Sequence, residues 1–268
     1  MRSFIKKTFV LIFAIFWILP GWQRCDLPWQ PGPMPSAIIE TEFEPGLNIL
    51  GVVRLEDSTA NSFVYVERAY PPDEYDAQAD TLPLVKDAVV QIRGSADTTA
   101  FTFQYFGDLS GQKYVNTGFR PVAGETYHLT IEAPDLPRLT ATASMPHLPE
   151  IDSSSVNISA TIASFSMRTT DDASMYDVYL LCENGQSVKR FSNEQAVTKE
   201  IRFTLNRDDG NPLAVRIFGY DRNLAKLSNY TSSIMPQSFI ETVSTVENGY
   251  GCFGAVSVLT YVLPSGSH

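Results

Sequence analysis

Glu125-Thr126-Tyr127-His128-Leu129-Thr130-Ile131-Glu132-Ala133 alternates apolar and polar residues without a break. An extended strand turns successive side chains to opposite faces, so Tyr127, Leu129 and Ile131 share one face and His128, Thr130 and Glu132 the other. Leu139 to Met145 repeats the pattern, with Leu139, Ala141 and Ala143 on one side. Upstream, Val85 to Arg93 sets Ala88, Val90 and Ile92 against Val89, Gln91 and Arg93. Ala100 to Phe106 sets Phe101, Phe103 and Tyr105 against Thr102 and Gln104. The two form a hairpin across Gly94 to Thr99. Leu47 to Leu55 and Ser62 to Tyr70 are further strands, and Glu44-Pro45-Gly46 is a turn that separates the first of them from a strand over Ser36 to Phe43. About seven strands at this spacing make one β-sandwich, over residues 36–145.

The alternation stops at Met145-Pro146-His147-Leu148-Pro149, where two prolines favour an extended linker, so residues 146–150 divide the chain. Beyond them, Val156 to Met167, Tyr176 to Cys182, Ser187 to Phe191, Lys199 to Leu205, Ala214 to Tyr220 and Gly254 to Leu263 are strands of a second sandwich, over 151–264. Asn184-Gly185 and Asp208-Asp209-Gly210-Asn211 are expected as hairpin turns. Asp221 to Ser238 is polar and less regular, either a short helix or a long crossover. A chain of 268 residues accommodates two such domains of about 100–130 residues each. The expected fold class is all-β, with two consecutive β-sandwiches.

Arg2, Lys6 and Lys7 precede an apolar run from Thr8 to Leu19 that Pro20-Gly21 ends, which is the pattern of a secretory signal peptide over residues 1–24. The run is short of the ~20 residues that a bilayer span needs. Cys25 follows, and Pro28, Pro31, Pro33 and Pro35 make residues 25–35 an extended tether. A bacterial lipoprotein carries its lipidated cysteine at this place. Arg24 and Trp22, however, stand where a lipobox has a small and an aliphatic residue, so lipidation of Cys25 and cleavage by the general signal peptidase both stay open. Cys182 and Cys252 form one disulfide in an oxidising envelope, or are two separate buried thiols. Removing the four cations of residues 1–24 takes the net charge from −10 to −14. Such a surface repels phosphate backbones, which excludes a nucleic-acid partner.

Glycines 249, 251 and 254 could be taken for a phosphate-cradling loop. That motif needs a helix after it, whereas Ala255 to Leu263 alternates as a strand, so a bulged or tight turn with close backbone approach is expected instead. His128 lies on a polar strand face, His147 between prolines and His268 at the C-terminus, and no metal-ligand spacing or nucleophile elbow accompanies them. The acidic stretches Asp73-Glu74-Tyr75-Asp76 and 206–210 lack the alternating ligand spacing of a calcium loop. Neither a metal nor another cofactor is expected, nor an enzyme. The segment from Tyr70 to Leu82, with Tyr70, Asp73, Glu74, Tyr75 and Asp76, has the rings and carboxylates that contact a glycan or peptide ligand.

Val85-Lys86-Asp87-Ala88-Val89-Val90-Gln91-Ile92, followed by Phe119-Arg120-Pro121-Val122-Ala123-Gly124-Glu125-Thr126-Tyr127, resembles the strand layout of transthyretin-like and carboxypeptidase-regulatory-like sandwiches. The strand Thr140 to Ser144 ending in Met145-Pro146, the Thr170-Asp171-Asp172 and Met175-Tyr176 strand entry, and the closing Asn248-Gly249-Tyr250-Gly251-Cys252-Phe253-Gly254-Ala255 are similar to a bacterial lipoprotein family, domain of unknown function 4249. The resemblance implies immunoglobulin-like or transthyretin-like sandwiches in an outer-membrane lipoprotein, anchored through Cys25 and facing the periplasm or the cell surface. It further implies an accessory or binding module beside a TonB-dependent type of transporter. An adhesin-like or scaffold spacer of the envelope is the alternative expectation, and an uncharacterised hydrolase the third.

Overall fold

The structure, a computed structural model, describes residues 43–56, 62–70, 84–108, 111–231 and 244–264. The signal peptide, Cys25, the tether over 25–35, all but Phe43 of the strand expected over 36–43, loop residues Asp73, Glu74, Tyr75 and Asp76, and His268 lie outside the described residues. The described residues from Glu44 onward cluster as one compact unit.

Seven strands precede the proline linker: β1 (Leu47–Glu56), β2 (Phe63–Arg68), β3 (Val89–Gly94), β4 (Phe101–Asp108), β5 (Gly111–Val115), β6 (Thr126–Glu132) and β7 (Leu139–Ser144). After it come β8 (Glu150–Ile158), β9 (Ile162–Arg168), β10 (Met175–Cys182), β11 (Gln186–Ser192), β12 (Thr198–Thr204), β13 (Pro212–Tyr220), helix α1 (Arg222–Thr231), β14 (Val246–Glu247) and β15 (Gly249–Val262). One 12-stranded sheet has the order β11-β10-β13-β15-β1-β2-β5-β4-β3-β6-β7-β14, and β12-β9-β8 make a smaller second sheet.

Strand β4 pairs with β3 through Phe101–Phe103 and with β5 through Gln104–Asp108, so the large sheet turns a corner there. It thereby folds over on itself. Leu47, Ile49 and Val53 of β1 share a core with Val90 and Ile92 of β3, Leu129 and Ile131 of β6 and Leu139 of β7. Phe119 is edge-on to Phe101, Phe103 and Tyr127 at its centre. Buried tyrosines need a partner for the hydroxyl. Tyr114 donates to Val85 O at 2.9 Å, and Tyr127 accepts from Val122 N at 2.6 Å, so each ties a loop to this core. A second core lies between the small sheet and β10-β13, built from Phe165, Met167, Tyr176, Val178, Ile201, Phe203 and Ile217.

Residues 146–150 lead from Met145 in the first core to Ile151 on the second, and strand pairing crosses from one core to the other. β14 pairs with β7, and β15 runs parallel to β1 from Gly249 opposite Leu47 to Val258 opposite Glu56. The far end of β15 pairs antiparallel with β13, from Tyr220 opposite Val256 to Ala214 opposite Val262. One strand therefore serves both cores: Phe253 and Ala255 belong to the first, while Leu259, Tyr261 and Leu263 pack on the second. A division of the chain at residues 146–150 assigns all of β15 to the second half, and the hydrogen-bond ladder does not.

Several elements differ from expectation. The single strand Val156 to Met167 is two strands, because Ser159 N donates to Ile162 O at 2.8 Å and Ile162 N donates to Ser159 Oγ at 3.1 Å, closing a turn. Asp208 to Asn211 is no hairpin. A 3-10 turn over Arg207–Asp209, with Gly210 at φ 72°, carries the chain from β12 in the small sheet to β13 in the large one. Val85 to Ala88 stays outside β3, although Ala88 N is held by the Tyr114 hydroxyl at 3.0 Å. Asp221 to Ser238 begins as α1. The glycine segment is mostly strand: Asn248, at φ 59°, makes the turn, and β15 starts directly after it. Gly251 has φ 104°, and a Cβ there would lie 2.0 Å from Ile49 O. Only glycine lets β15 approach β1 at this point.

Candidate functional site

Two outward faces of the large sheet carry most of the chemistry. Across β1, β15, β13, β10 and β11, register aligns Glu56, Val258, Phe218, Asp177 and Arg190 in one row. The rows beside it hold Arg54 with Tyr220, and Arg216 with Tyr179 and Val188. Both arginines cover the Phe218 ring, Arg54 at 5.7 Å and Arg216 at 5.4 Å from its centroid. Both also reach Glu56, Arg54 at 2.9 Å. Tyr179 stands edge-on to Phe218 at 5.5 Å, and Tyr220 lies nearly parallel to it at 6.3 Å. Asp177 is buried at 1% exposure and takes a bidentate pair from Arg190, with both N–O distances 2.7 Å. The Tyr220 hydroxyl adds a third donor at 3.2 Å. Among the described residues, three guanidinium groups thus meet two carboxylates, which leaves one positive charge on an aromatic face. Val188 and Val262 extend it with 54% and 75% of their surface exposed.

The second face belongs to β3, β6 and β7. Arg93, His128 and Thr142 form one row and Gln91, Thr130, Thr140 and Glu247 the next. Residues Asn223 and Lys226 of α1, with Ser244 and Thr245 ahead of β14, wall it into a cleft of about 490 Å³. Asn223 Nδ2 donates at 2.9 Å to both Thr142 O and Phe253 O, and so fixes α1 against β7 and β15. Thr140 Oγ1 donates to Glu247 at 3.0 Å, and the Thr142 hydroxyl lies 3.4 Å from His128 Nδ1.

Between the faces, α1 covers an apolar patch of Leu224, Cys252, Val256 and Val258, with Leu50 and Val52 packed against it. Its N-cap is Asp221, 3% exposed, whose carboxylate accepts from Leu224 N at 2.9 Å. Burial dominates there and pushes the carboxyl up to about 7 despite its backbone hydrogen bonds.

His147, in the linker, is anchored twice. Its Nδ1 lies 2.6 Å from Asp172 Oδ2, and its carbonyl accepts from the buried Ser257 hydroxyl at 3.2 Å. Burial alone would raise Asp172, but the neighbouring Thr170 side chain and the hydrogen bonds from His147 outweigh it and hold the carboxyl below its ordinary range. The pair latches the linker to the second core.

Cys182 and Cys252 are both free. Cys182 packs on the second core, whereas Cys252 lies beneath α1, with Sγ 3.7 Å from Asn223 O. The disulfide considered for them is not formed. Burial pushes the Cys252 thiol to about 11, and burial with Asp209 and Glu183 raises Cys182, so both are protonated at neutral pH. Of the loop singled out for ligand contact, only Tyr70 is among the described residues, and it is half-buried. No set of three or more His, Cys, Asp and Glu residues poised for a metal occurs among the described residues.

Residues 38–261 match the family described as domain of unknown function DUF4249. The chain belongs to this family. No curated protein matches it. Both faces of this DUF4249 chain escaped sequence reasoning as sites. The outward positions Arg93, His128 and Thr130 were legible from alternation, but their meeting with Lys226 and Glu247 depends on where β14 and α1 dock. The Arg54–Phe218–Arg216 stack is invisible in sequence because β15 lies between β1 and β13.

Proposed function

We propose that this DUF4249 chain is a non-catalytic module of the bacterial cell envelope that docks on a protein partner through the outer face of β10, β13 and β15. Exported behind residues 1–24 and lipid-anchored through Cys25, it would use the proline tether to stand clear of the membrane. The two cores would then be two immunoglobulin-like or transthyretin-like sandwiches that share β15. A transporter of the TonB-dependent type in the outer membrane is the partner class that the lipoprotein resemblance suggests.

The observation that carries this reading is the Arg54–Phe218–Arg216 stack, continued by Tyr179, Tyr220, Val188 and Val262. Aromatic residues and arginine dominate the energetics of protein interfaces, since their large rigid surfaces lose little entropy on contact. The guanidinium groups are already oriented by Glu56 and Asp177. The residual positive charge of this face, in a chain of net charge −10, suits a partner surface with acidic groups.

The test is affinity capture of the full chain from cross-linked envelopes, beside Val188→Glu and Val262→Glu variants. An outer-membrane transporter should be recovered with the parent chain and lost with both variants. Capture without a transporter, or recovery unchanged in the variants, would overturn the proposal. Mass spectrometry of the mature N-terminus checks the anchor separately: an acylated Cys25 is expected, and a free amino terminus beyond it contradicts anchoring.

A further inference from the structure

The docking face leaves the cleft on the opposite end of the sheet without a role, and its chemistry is of another kind. Arg93 and Lys226 make no hydrogen bond or ion pair with any described residue, although other cations of the chain, Arg54, Arg190 and Arg216 among them, are paired with carboxylates. Thr130 and Thr142 line the same space, and Glu247, steadied by Thr140, keeps acceptor capacity. No aromatic side chain lines it among the described residues. Cations and hydroxyl-bearing residues predominate in this lining.

We infer that this cleft binds a small polyhydroxylated anion, an acidic sugar carrying a carboxylate or phosphate. Arg93 presents the planar fork that matches a carboxylate or two phosphate oxygens, and Lys226 adds a point charge from the opposite wall. The threonine hydroxyls donate and accept, as a sugar hydroxyl does, and Glu247 accepts from a ring hydroxyl. His128, beside Thr142, is a further donor or acceptor, with Ser244 and Thr245 also in the lining. The volume of about 490 Å³ lies within the range of small-ligand sites and admits about one or two sugar rings. Repulsion from the acidic remainder of the chain is screened beyond about 8 Å at physiological ionic strength, so the local cations decide. The position of the cleft is also favourable. Its floor is regular sheet, and Asn223 clamps the α1 wall to β7 and β15, so the groups are held on rigid elements.

The experiment is isothermal titration and amide chemical-shift mapping of the full chain. The probes are glucuronate, galacturonate and glucose 6-phosphate, with glucose, galactose and inorganic phosphate as their neutral and sugar-free counterparts. At least one acidic sugar should bind with shifts centred on β6 and β7, at least tenfold tighter than its neutral sugar and than phosphate. Arg93→Gln and Lys226→Gln should each weaken it about tenfold, with circular dichroism and thermal unfolding unchanged. Thr130→Val should reduce affinity for the sugar but not for phosphate. Absence of binding by all three acidic sugars at 10 mM, roughly the weak limit of specific sites, overturns the assignment. Equal binding of glucose and glucuronate overturns the role of the cations, and equal binding of phosphate overturns that of the hydroxyls. None of these outcomes touches the docking proposal, which rests on β10, β13 and β15.

Discussion

The two ends of the large sheet share β15 yet furnish their outward faces in opposite ways. At β3-β6-β7 the outward residues are Arg93, His128, Thr130, Thr140 and Thr142, with hydroxyl groups and cations that pair with no described residue. At β10-β13-β15 they are Phe218, Tyr179, Val188 and Val262, and the cations there are locked to Glu56 and Asp177. The backbone periodicity is the same in both. What differs is whether charge is left free for a small ligand or neutralised within a broad apolar surface for a protein. A buried carboxylate without a cation, Asp221, sits under the helix between them.

The strongest way to break the comparison is to separate the ends. Gly251→Ala places a methyl group 2.0 Å from Ile49 O at φ 104°. It should cost on the order of 4 kcal/mol and replace a single unfolding transition with two, read by urea titration at several probes. Next in size, Arg190→Ala leaves the Asp177 carboxylate buried with only the Tyr220 hydroxyl, and should cost about 3 kcal/mol in the same titration.

Asp221 sharpens the comparison through pH. Its folded pKa of about 7 lies above the unfolded value of about 3.9, so the folded state holds the extra proton between them. Stability from this group therefore falls as pH rises from about 4 to about 7 and stays lower above that. Asp221→Asn keeps an N-cap oxygen and should abolish this decline, gaining about 2 kcal/mol at pH 8. Asp172 acts with the opposite sign. Its lowered pKa contributes stability above about pH 4 that is lost as pH falls through the folded value. Smallest in stability are Val188→Glu and Val262→Glu. These exposed changes should stay within about 0.5 kcal/mol while abolishing partner capture.

The all-β class and most strand positions were legible because half-buried strands alternate, and β6, β7, β10 and β13 fall where alternation places them. β5 was missed because Gly111-Gln112-Lys113-Tyr114-Val115 carries only one buried residue, Tyr114. The path of β15 was missed for a different reason. Its residues 252–256 carry no polar group on either face, since one face meets the first core and the other lies beneath α1. A continuous apolar run does not say which strand will be its neighbour. Non-local pairing also decided the sites, as Arg54 and Arg216 meet across a strand that intervenes only in space. The hairpin expected at Asp208–Asn211 failed because turn composition marks a reversal without saying whether the next strand joins the same sheet.

Photo-cross-linking in intact cells tests the central claim most directly, with the reactive side chain placed once at Val262 and once at Val89. Both are exposed valines on outward positions, one at each end of the sheet. The account predicts an adduct with an outer-membrane transporter from position 262 and none from position 89. Equal adducts from both positions, or none from 262, would contradict it.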